Sequence, residues 1–406
     1  MAAPHGAFVP FGCYWATPFA RWQQEFSQLH SLRFAAKIAR LELQRRGIVP
    51  DVFDHAVLGT TRPERGSFYG APWMMGLLGA PKVGGPTVGQ ACATGVRALL
   101  AASQEVSSGL AQCVLAAACD RTSNGPHIYY PNPAGPGGTG EAEDFIMENM
   151  ARDPLGGHSM TQTAENCARK YSVSTAEQHE LVLRREEQYR AAIADQNAFQ
   201  KRFMTLPFAV PDGEFRKTVA SIDGDTGIRY STPEGLAKLK PVLDGGTVTY
   251  GGQTHPADGS AAMIVANAAR AAELSRDPAI EIELRGFGVA RAPLAYMPEA
   301  PVPAAQQALL NAGIAISDIH AIKTHNPFAV NDIVLAKSLG FAAWDMNNFG
   351  CSLVYGHPNA PTGIRGCIEL IEELVLRGGG SGLFAGCAAG DTAMAVVISV
   401  RGRSSS

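Results

Sequence analysis

The chain has 406 residues, of which 46% are hydrophobic and 17% charged, so it has ample apolar material for a large core. Its formal net charge of −3 gives no reason to expect nucleic acid or an anionic membrane as a partner. No apolar run approaches the roughly 20 residues of a membrane span, and the first residues lack the basic-then-apolar order of a signal peptide. The eight cysteines include no CxxC pair, which is typical of reduced thiols, so we expect a cytoplasmic enzyme.

The first informative segment surrounds Cys92 and reads GGPTVGQACATGVRALLAASQEV. It predicts a short apolar strand, a Gly/Gln bend and a helix from about Thr94. Cys92 then lies at a helix N-terminus, where unpaired backbone N–H groups and the positive end of the helix dipole favour a thiolate over a thiol. We therefore interpret Cys92 as a reactive cysteine.

Residues from about 122 to 256 differ in composition and predicted secondary structure from the segments on either side, and they predict an inserted lid. HIYYPNPAGPGGTGEAED is rich in Gly and Pro and indicates a loop. The next stretch predicts two helices, the second beginning after Ser174, and a polar, broken segment follows. A surface elaboration without function is the alternative, which we disfavour for an insertion of this size.

An internal repeat links the two ends of the chain. ATGVRALLAASQEV followed by VLAAACD is echoed by PTGIRGCIELIEEL followed by GLFAGCAAGD. The matches, at a constant offset of 268 residues, are Thr94-Gly95 with Thr362-Gly363, Arg97 with Arg365, and Cys119 with Cys387. Both copies predict a loop, an amphipathic helix and a small-residue buried strand. We expect two duplicated α/β halves, stacked face to face.

Six segments in this order resemble the thiolase family over essentially the whole chain. They are TPFAR, PTVGQACATG, MTQTAEN, TPEGLAKLKPVLDGGTVT with ADGSAA, NNFGCSLVYGHPNAPTGIR and GCAAGDTAMAVVI. The resemblance implies an α/β fold of αβαβα layers. Its N-terminal half would span residues 1–121, completed by 257–278, its lid or loop domain 122–256, and its C-terminal half 279–406.

The resemblance also implies a reaction: reversible cleavage of a 3-oxoacyl-CoA by CoA, with the cysteine as acyl carrier. Cys92 would attack the 3-oxo carbon, and His357 would take its proton, because a thiol with a pKa near 8.5 needs a base at neutral pH. Cys387 would protonate the departing acetyl-CoA carbanion and then activate CoA. Coenzyme A is a substrate here, and no cofactor is expected. For the other cysteines in small-residue surroundings we expect inert burial: Cys113, Cys119, Cys167 and Cys367.

The segment that begins at His325 departs from the commonest thiolase pattern. Where many members have Asn-Glu-Ala-Phe, this chain has HNPF beginning at His325, which is similar to sterol-carrier-type and trifunctional-type thiolases. The resemblance implies that His325 and His357 form one oxyanion hole, since an imidazole can donate a hydrogen bond to the enolate oxygen. The backbone N–H groups of Cys92 and Ala389 would form the other.

Three residues are assigned to substrate or CoA binding by the resemblance: Met160 at the lid helix, Arg229 and Thr254, which keeps a hydroxyl for the pantetheine arm. His158 lies one residue out of step with the lid histidine of short-chain biosynthetic thiolases. These departures argue against a plain acetoacetyl-CoA thiolase and favour a bulkier acyl group. Five aromatic residues could line its pocket, although core packing is the alternative for each: Phe68, Tyr69, Trp73, Tyr129 and Tyr130.

Two other functions stay open at this point. A condensing enzyme of the ketoacyl-synthase or hydroxymethylglutaryl-CoA-synthase type would use Cys92, His325 and His357 but would lack Cys387. A non-catalytic thiolase-like subunit would have lost catalytic residues, which this chain keeps. We expect no metal site, because the spacings of Cys and His match no zinc pattern.

The resemblance also implies partners. Thiolases generally pair as homodimers through the half that carries the nucleophile, often doubling to tetramers, and the same is expected here. Some histidine-type members work with a small zinc-bearing OB-fold protein, which is a further partner to consider.

Overall fold

The computed structural model describes residues 6–123 and 125–402 and arranges them in strands and helices of mixed order. The strands are β1 (Tyr14–Ala16), β2 (Ala20–Arg21), β3 (His55–Gly59), β4 (Thr87–Val88), β5 (Cys113–Arg121), β6 (His127–Pro131), β7 (Gly140–Asp144), β8 (Phe208–Pro211), β9 (Thr218–Ile222), β10 (Ala257–Ala266), β11 (Ile280–Arg291), β12 (Ile319–His325), β13 (Gly380–Ala388) and β14 (Thr392–Gly402). The helices are α1 (Ser31–Arg45), α2 (Gly70–Leu78), α3 (Thr94–Ser107), α4 (Met147–Ala151), α5 (Met160–Lys170), α6 (Thr175–Asn197), α7 (Pro233–Ala237), α8 (Ala268–Leu274), α9 (Pro301–Ala312), α10 (Ala329–Leu339), α11 (Ser352–Tyr355) and α12 (Ala360–Leu376). Within these ranges no helix is long and apolar enough to cross a bilayer.

Two central sheets share one topology. In the first, the strand order is β1-β10-β5-β3-β4, with β2 also paired to β10. In the second it is β11-β14-β13-β12. Starting from β1 or from β11, the first two pairings are antiparallel and the third is parallel. Strands β5 and β13, which carry the repeated small-residue segments, occupy equivalent places, so the predicted duplication is confirmed.

Five layers follow from how these sheets bury their two faces. Helices α3 and α12 lie between the sheets, in a core that takes apolar side chains from β5 and β10 on one side and from β13 and β14 on the other. Helices α1 and α2 cover the outer face of the first sheet. Helices α9 and α10 cover the outer face of the second. This is the expected αβαβα arrangement, in which each sheet is buried on both faces.

The two central helices touch through equivalent glycines. A Cβ atom on Gly95 of α3 would lie 2.5 Å from the backbone oxygen of Ala360 in α12. A Cβ atom on Gly363 of α12 would lie 2.9 Å from a side-chain methyl of Val96 in α3. Real Cβ atoms essentially never come within 3.0 Å of such a neighbour, so this helix contact requires glycine at position 95.

Two hairpins, β6–β7 and β8–β9, and helices α4 to α7 all fall inside residues 122–256. Helix α6 begins where the sequence predicts, with the Ser174 hydroxyl accepting a hydrogen bond from the backbone N–H of Glu177 (3.1 Å). Arg185 of α6 is fully buried and pairs with Asp332 of α10 at 2.9 Å. Asp225 accepts two hydrogen bonds from Arg365 of α12, at 2.6 and 2.8 Å. These buried ion pairs anchor the inserted segment to both central and outer helices.

Candidate active site

Four loops or strand ends bring the predicted chemical groups together. Cys92 lies in the turn that precedes α3, and His325 is the last residue of β12. His357 lies between α11 and α12, and Cys387 is near the end of β13. The Cys92 sulfur and one ring nitrogen of each histidine all lie within 4.8 Å of one another. The two imidazole rings stack, with centroids 3.9 Å apart and planes inclined by 25°.

The turn that carries Cys92 is held by the first residue of the following helix. The Thr94 hydroxyl donates to the carbonyl oxygen of Ala91 and accepts from the N–H of Gln90, both at 2.7 Å. Ala91 has φ of +42°, which is uncommon for a residue with a side chain. This strained turn precedes the sulfur that lies within 4.8 Å of a ring nitrogen of each histidine, and strain of this kind is common at functional sites.

Burial sets the resting state of the nucleophile. It is the largest influence on the pKa of Cys92 and raises that pKa to about 11. The backbone N–H of Ala389, the charge of Arg62 and the cysteine's own N–H each lower the pKa by less, and the charge of Asp120 adds a smaller increase. Desolvation thus outweighs the helix N-terminus, and the resting thiol is protonated and needs a base. The two N–H groups assigned to one oxyanion hole, those of Cys92 and Ala389, do both approach this sulfur.

His357 is arranged to accept a proton. Its Nδ1 lies 2.7 Å from the hydroxyl oxygen of Thr362, whereas its buried Nε2 has no hydrogen-bond partner in the protein. Burial, then the neighbouring His325 and the charge of Arg62, place the pKa of His357 well below its usual range. The ring is therefore neutral at neutral pH, and with Nδ1–H donating to Thr362 its Nε2 lone pair is free to act as a base.

His325 is fixed by an amide network that sequence reasoning missed. Its Nδ1 lies 2.9 Å from Ser352 Oγ, and its buried Nε2 is unpartnered. Ser352 Oγ also lies 3.1 Å from Asn326 Oδ1. The Asn326 amide itself has one orientation, because its Nδ2 donates to Asp332 (2.8 Å) and its Oδ1 accepts from the N–H of Leu353 (3.1 Å).

The single proton of the Ser352 hydroxyl therefore has two acceptors to choose from, His325 Nδ1 and Asn326 Oδ1. When it is donated to Nδ1, the neutral ring carries its own proton on Nε2 and can donate it to a substrate oxygen. When it is donated to Asn326, the ring carries its proton on Nδ1, and Nε2 can only accept. Burial lowers the pKa of His325 to about 3, so the ring is neutral in either arrangement.

Cys387 is a buried thiol beside the nucleophile. Burial is the main cause that raises its pKa well above the usual value, and a charge on Cys92 raises it further. Asn331 of α10 donates from Nδ2 to the Cys387 sulfur (3.2 Å), and its Oδ1 accepts from the N–H of Phe328 (3.3 Å). Asn331 is a second residue that sequence reasoning missed, and it stabilises negative charge on this sulfur.

A buried ion pair lies beneath the nucleophile and the histidine. Arg62 and Asp120 approach to 3.8 Å, and both are almost completely buried. Arg62 donates to the carbonyl oxygen of Pro358 (3.4 Å), next to His357. Asp120 accepts from the N–H groups of Thr61 (2.9 Å) and Ala360 (2.8 Å), so it joins the first half of the chain to the start of α12. Arg62 is the third missed residue.

The residues assigned to CoA binding are more scattered. Met160 is the first residue of α5 and packs against the apolar core beneath the inserted segment. Arg229 is exposed, and its charge contributes to the lowered pKa of His255, after burial and Arg21. The Thr254 hydroxyl donates to the carbonyl oxygen of Ser352. Thr254 has thus already donated its proton, and its hydroxyl oxygen can accept from a pantetheine amide.

The alternative prediction, that the five aromatic residues proposed near the substrate pack in the core, is wrong for four of them. Four of them are at least half exposed: Phe68 (93%), Tyr69 (71%), Tyr129 (52%) and Tyr130 (50%). Trp73 is partly buried and meets His30 edge-on, with ring centroids 5.2 Å apart. Aromatic composition alone did not distinguish surface positions on loops and hairpins from core positions.

Two cysteines and two histidines thus meet on this layered fold, and the comparisons with known proteins define its class as an acyltransferase. The family model for the thiolase N-terminal domain matches residues 15–269, and that for the thiolase C-terminal domain matches residues 279–400. The chain belongs to the thiolase family.

Relatives and solved structures agree. Acetyl-CoA acetyltransferase of Escherichia coli (strain K12) is 30% identical over 323 residues, covering 79% of this chain and 80% of that protein. The peroxisomal 3-ketoacyl-CoA thiolase A of Mus musculus is 30% identical over 295 residues, covering 72% and 66%. The crystal structure of human mitochondrial 3-ketoacyl-CoA thiolase in complex with CoA superposes with a TM-score of 0.86 at 26% identity, covering 98% and 99%.

Proposed function

We propose that this enzyme cleaves a 3-oxoacyl-CoA with CoA by way of an acyl thioester on Cys92. The observation that carries the proposal is the meeting of the Cys92 sulfur with one ring nitrogen of each of two histidines, within 4.8 Å. The Nε2 atoms of both histidines are buried without a partner, and a second buried thiol lies nearby. A buried ring nitrogen without a partner calls for a ligand, and here a substrate oxygen or a transferred proton would supply one.

In the first half-reaction the Cys92 sulfur attacks the 3-oxo carbon while His357 Nε2 takes the thiol proton. The resulting oxyanion accepts hydrogen bonds from the N–H groups of Cys92 and Ala389. The C2–C3 bond then breaks, and its electron pair leaves with the acetyl-CoA fragment as an enolate. His325 and the protonated His357 donate to the enolate oxygen, and Cys387 gives its proton to C2.

In the second half-reaction the Cys387 thiolate takes the proton of an incoming CoA thiol. The CoA sulfur attacks the thioester carbon, and the bond from that carbon to Cys92 breaks. His357 returns its proton to the departing Cys92 sulfur, which restores the resting enzyme. The raised pKa of Cys387 supports its first task, because a protonated thiol is what the carbanion needs.

We further propose that the acyl group is bulkier than acetyl and that the enzyme works in degradation. Support comes from the departures around the site, above all His158, which is one residue out of step with the short-chain pattern. A panel of 3-oxoacyl-CoA esters of increasing chain length and branching, scored for CoA-dependent cleavage, tests this. Faster cleavage of acetoacetyl-CoA than of every larger ester would overturn the assignment of a bulkier acyl group.

The thiolase mechanism has its own test. Cys92→Ala should abolish both half-reactions. Cys387→Ala keeps Cys92 but should lose CoA-dependent turnover, because it lacks both the proton donor for C2 and the base for the incoming CoA thiol. If Cys387→Ala turned over acetyl-CoA and a 3-oxoacyl-CoA normally, a one-cysteine condensing mechanism would be the better description.

We also propose a cytoplasmic homodimer. All eight cysteines are free thiols, which suits a reducing compartment. In the half that carries Cys92, the sheet ends at the edge strand β4. The exposed residues Phe68 and Tyr69 precede α2 in the same half. An unpaired edge beside exposed aromatic side chains favours a second copy as the occupant. Light scattering of the wild type and of Phe68→Asp would test the assembly, and a monomeric wild type would contradict it. The small zinc-bearing OB-fold partner stays a prediction of the family resemblance.

A further inference from the structure

The same three side chains that serve the proposed reaction form a set of metal-binding groups. One sulfur and two imidazole nitrogens, from Cys92, His325 and His357, lie within 4.8 Å of one another. Both Nε2 atoms are buried and have no hydrogen-bond partner in the protein. The two histidines are only 1% and 7% exposed, so no bulk solvent satisfies these nitrogens.

Each histidine is also oriented as a metal ligand usually is. A ligating imidazole binds the ion through one nitrogen while the other is hydrogen bonded to a neighbouring polar group, which fixes the ring. Here Nδ1 of His325 meets Ser352 Oγ at 2.9 Å, and Nδ1 of His357 meets Thr362 Oγ1 at 2.7 Å. The remaining nitrogen of each ring is the one available to an ion.

The distances suit zinc after a small adjustment. Zn²⁺ binds cysteine sulfur at about 2.3 Å and histidine nitrogen at about 2.0–2.1 Å, so tetrahedral ligand atoms lie roughly 3.5 Å apart. Side-chain rotation can draw together atoms that now lie within 4.8 Å. Three protein ligands with a fourth position left for water is a common arrangement for zinc.

We propose that the resting enzyme binds one Zn²⁺ ion between the Cys92 sulfur and the Nε2 atoms of His325 and His357, and that this ion blocks acylation. On binding, the Cys92 thiol releases its proton to solvent and its sulfur bonds to the ion, with no change in oxidation state. An acyl group on Cys92 occupies the same sulfur, so acylation and metal binding exclude each other. The spacing of the sequence did not predict this site, because the fold assembles the ligands from distant loops.

His325 is the residue that completes the set. With the asparagine that many thiolases carry there, only one cysteine and one histidine would remain as good zinc ligands. The site thus follows from a feature of this chain rather than from the general reaction.

Cobalt provides a direct probe, because Co²⁺ bound to a cysteine sulfur absorbs light by charge transfer. Metal-free, reduced wild-type enzyme titrated with Co²⁺ should show this absorption with one ion per chain, and added Zn²⁺ should remove it. His325→Asn should weaken Co²⁺ binding by at least about 10- to 100-fold, the range measured even for loss of a supporting residue around a metal. The matched control is His127→Asn at an exposed position on β6, which should bind Co²⁺ as the wild type does.

A second measurement uses the wild-type protein alone. Acetylation of Cys92 with acetyl-CoA, verified by mass spectrometry, should abolish the cobalt absorption, and removal of the acetyl group should restore it. Absence of charge-transfer absorption in the unmodified enzyme, or equal Co²⁺ affinity in folded His325→Asn, would overturn the proposal. Persistence of the absorption on the acetylated protein would do the same.

Discussion

The imidazole rings of His325 and His357 lie stacked, 3.9 Å apart between centroids, and each has its Nε2 free of any partner in the protein. Two rings this close disfavour a positive charge on both, and the charge interaction with His325 indeed lowers the pKa of His357. The pair can therefore take up one additional proton, and one positive charge, at a time. In the proposed reaction that proton comes from Cys92 and is shared with the enolate oxygen.

Removal of the His325 ring should slow catalysis strongly. His325→Ala deletes one donor to the enolate oxygen, and loss of one such donor typically costs about 10²–10³-fold in kcat. His325→Asn restores a donor of the kind found in many thiolases and should recover part of that loss. Steady-state thiolysis of a 3-oxoacyl-CoA measures both variants. Equal activity of the alanine variant and the wild type would remove His325 from the oxyanion hole.

Ser352 should act on the reaction through His325. Ser352→Ala removes the hydroxyl that contacts Nδ1 and positions the ring of His325. We expect kcat to fall about tenfold, near the upper end for loss of one neutral hydrogen bond. Ser352→Thr keeps the hydroxyl and should keep most of the activity. The KM for CoA should stay unchanged in both variants. A loss of activity in Ser352→Ala that comes only from a higher KM would indicate a purely structural role. An equal loss in Ser352→Thr would indicate the same.

Alkylation of Cys92 should accelerate steadily with pH. Because burial raises its pKa to about 11, the thiolate fraction rises about tenfold per pH unit below that value. The rate of iodoacetamide modification at Cys92, followed by peptide mass spectrometry, should therefore climb about 100-fold from pH 7 to pH 9. A plateau below pH 8 would show that the resting sulfur is already ionised.

Acid should destabilise the fold partly through the buried histidines. The pKa of His325 is about 3 in the folded protein and about 6.5 when unfolded, so the unfolded state binds the extra proton between these values. This contribution to stability is complete above pH 6.5 and is lost as the pH falls toward 3. His325→Asn should reduce the slope of the unfolding free energy by about 1.4 kcal/mol per pH unit in that window. Urea unfolding at several pH values measures it, and an unchanged slope would contradict the depressed pKa.

The helix crossing should not tolerate a methyl group. Gly95→Ala places a Cβ 2.5 Å from the backbone oxygen of Ala360, where no flexible side chain can move away. We expect a loss of about 1–3 kcal/mol in unfolding free energy, the usual cost of overpacking. Gly76→Ala in α2 meets open space and should be stabilising by about 0.5–1 kcal/mol. Thermal unfolding compares the two, and similar behaviour would mean that the crossing can separate.

Much of the fold could be predicted from sequence because the chain repeats itself. The constant offset of 268 residues places β5 and β13 at equivalent points, and the helices do begin at Thr94 and after Ser174. Local signals of this kind, such as hydrophobic spacing and capping residues, survive in a single sequence.

The supporting groups around the site could not be predicted in the same way. Arg62 and Asn331 are single polar residues outside the six thiolase-like segments, and Ser352 lies within one of them without a recognisable role. Each acts on a partner that folding brings beside it. The size of the rise in the pKa of Cys92 was also out of reach, because it comes from burial, a property of the folded chain.

The contact between α3 and α12 has a consequence for how accurately the chemistry is aligned. The turn holding the attacking sulfur leads directly into one of these helices, and the turn holding the proton acceptor leads into the other. Where they cross, main chain rests on main chain, with only a hydrogen atom at position 95 between them. Neither a rotamer change nor a drift in side-chain size at that point can alter the gap between the reacting groups, so their spacing is inherited from the backbone itself.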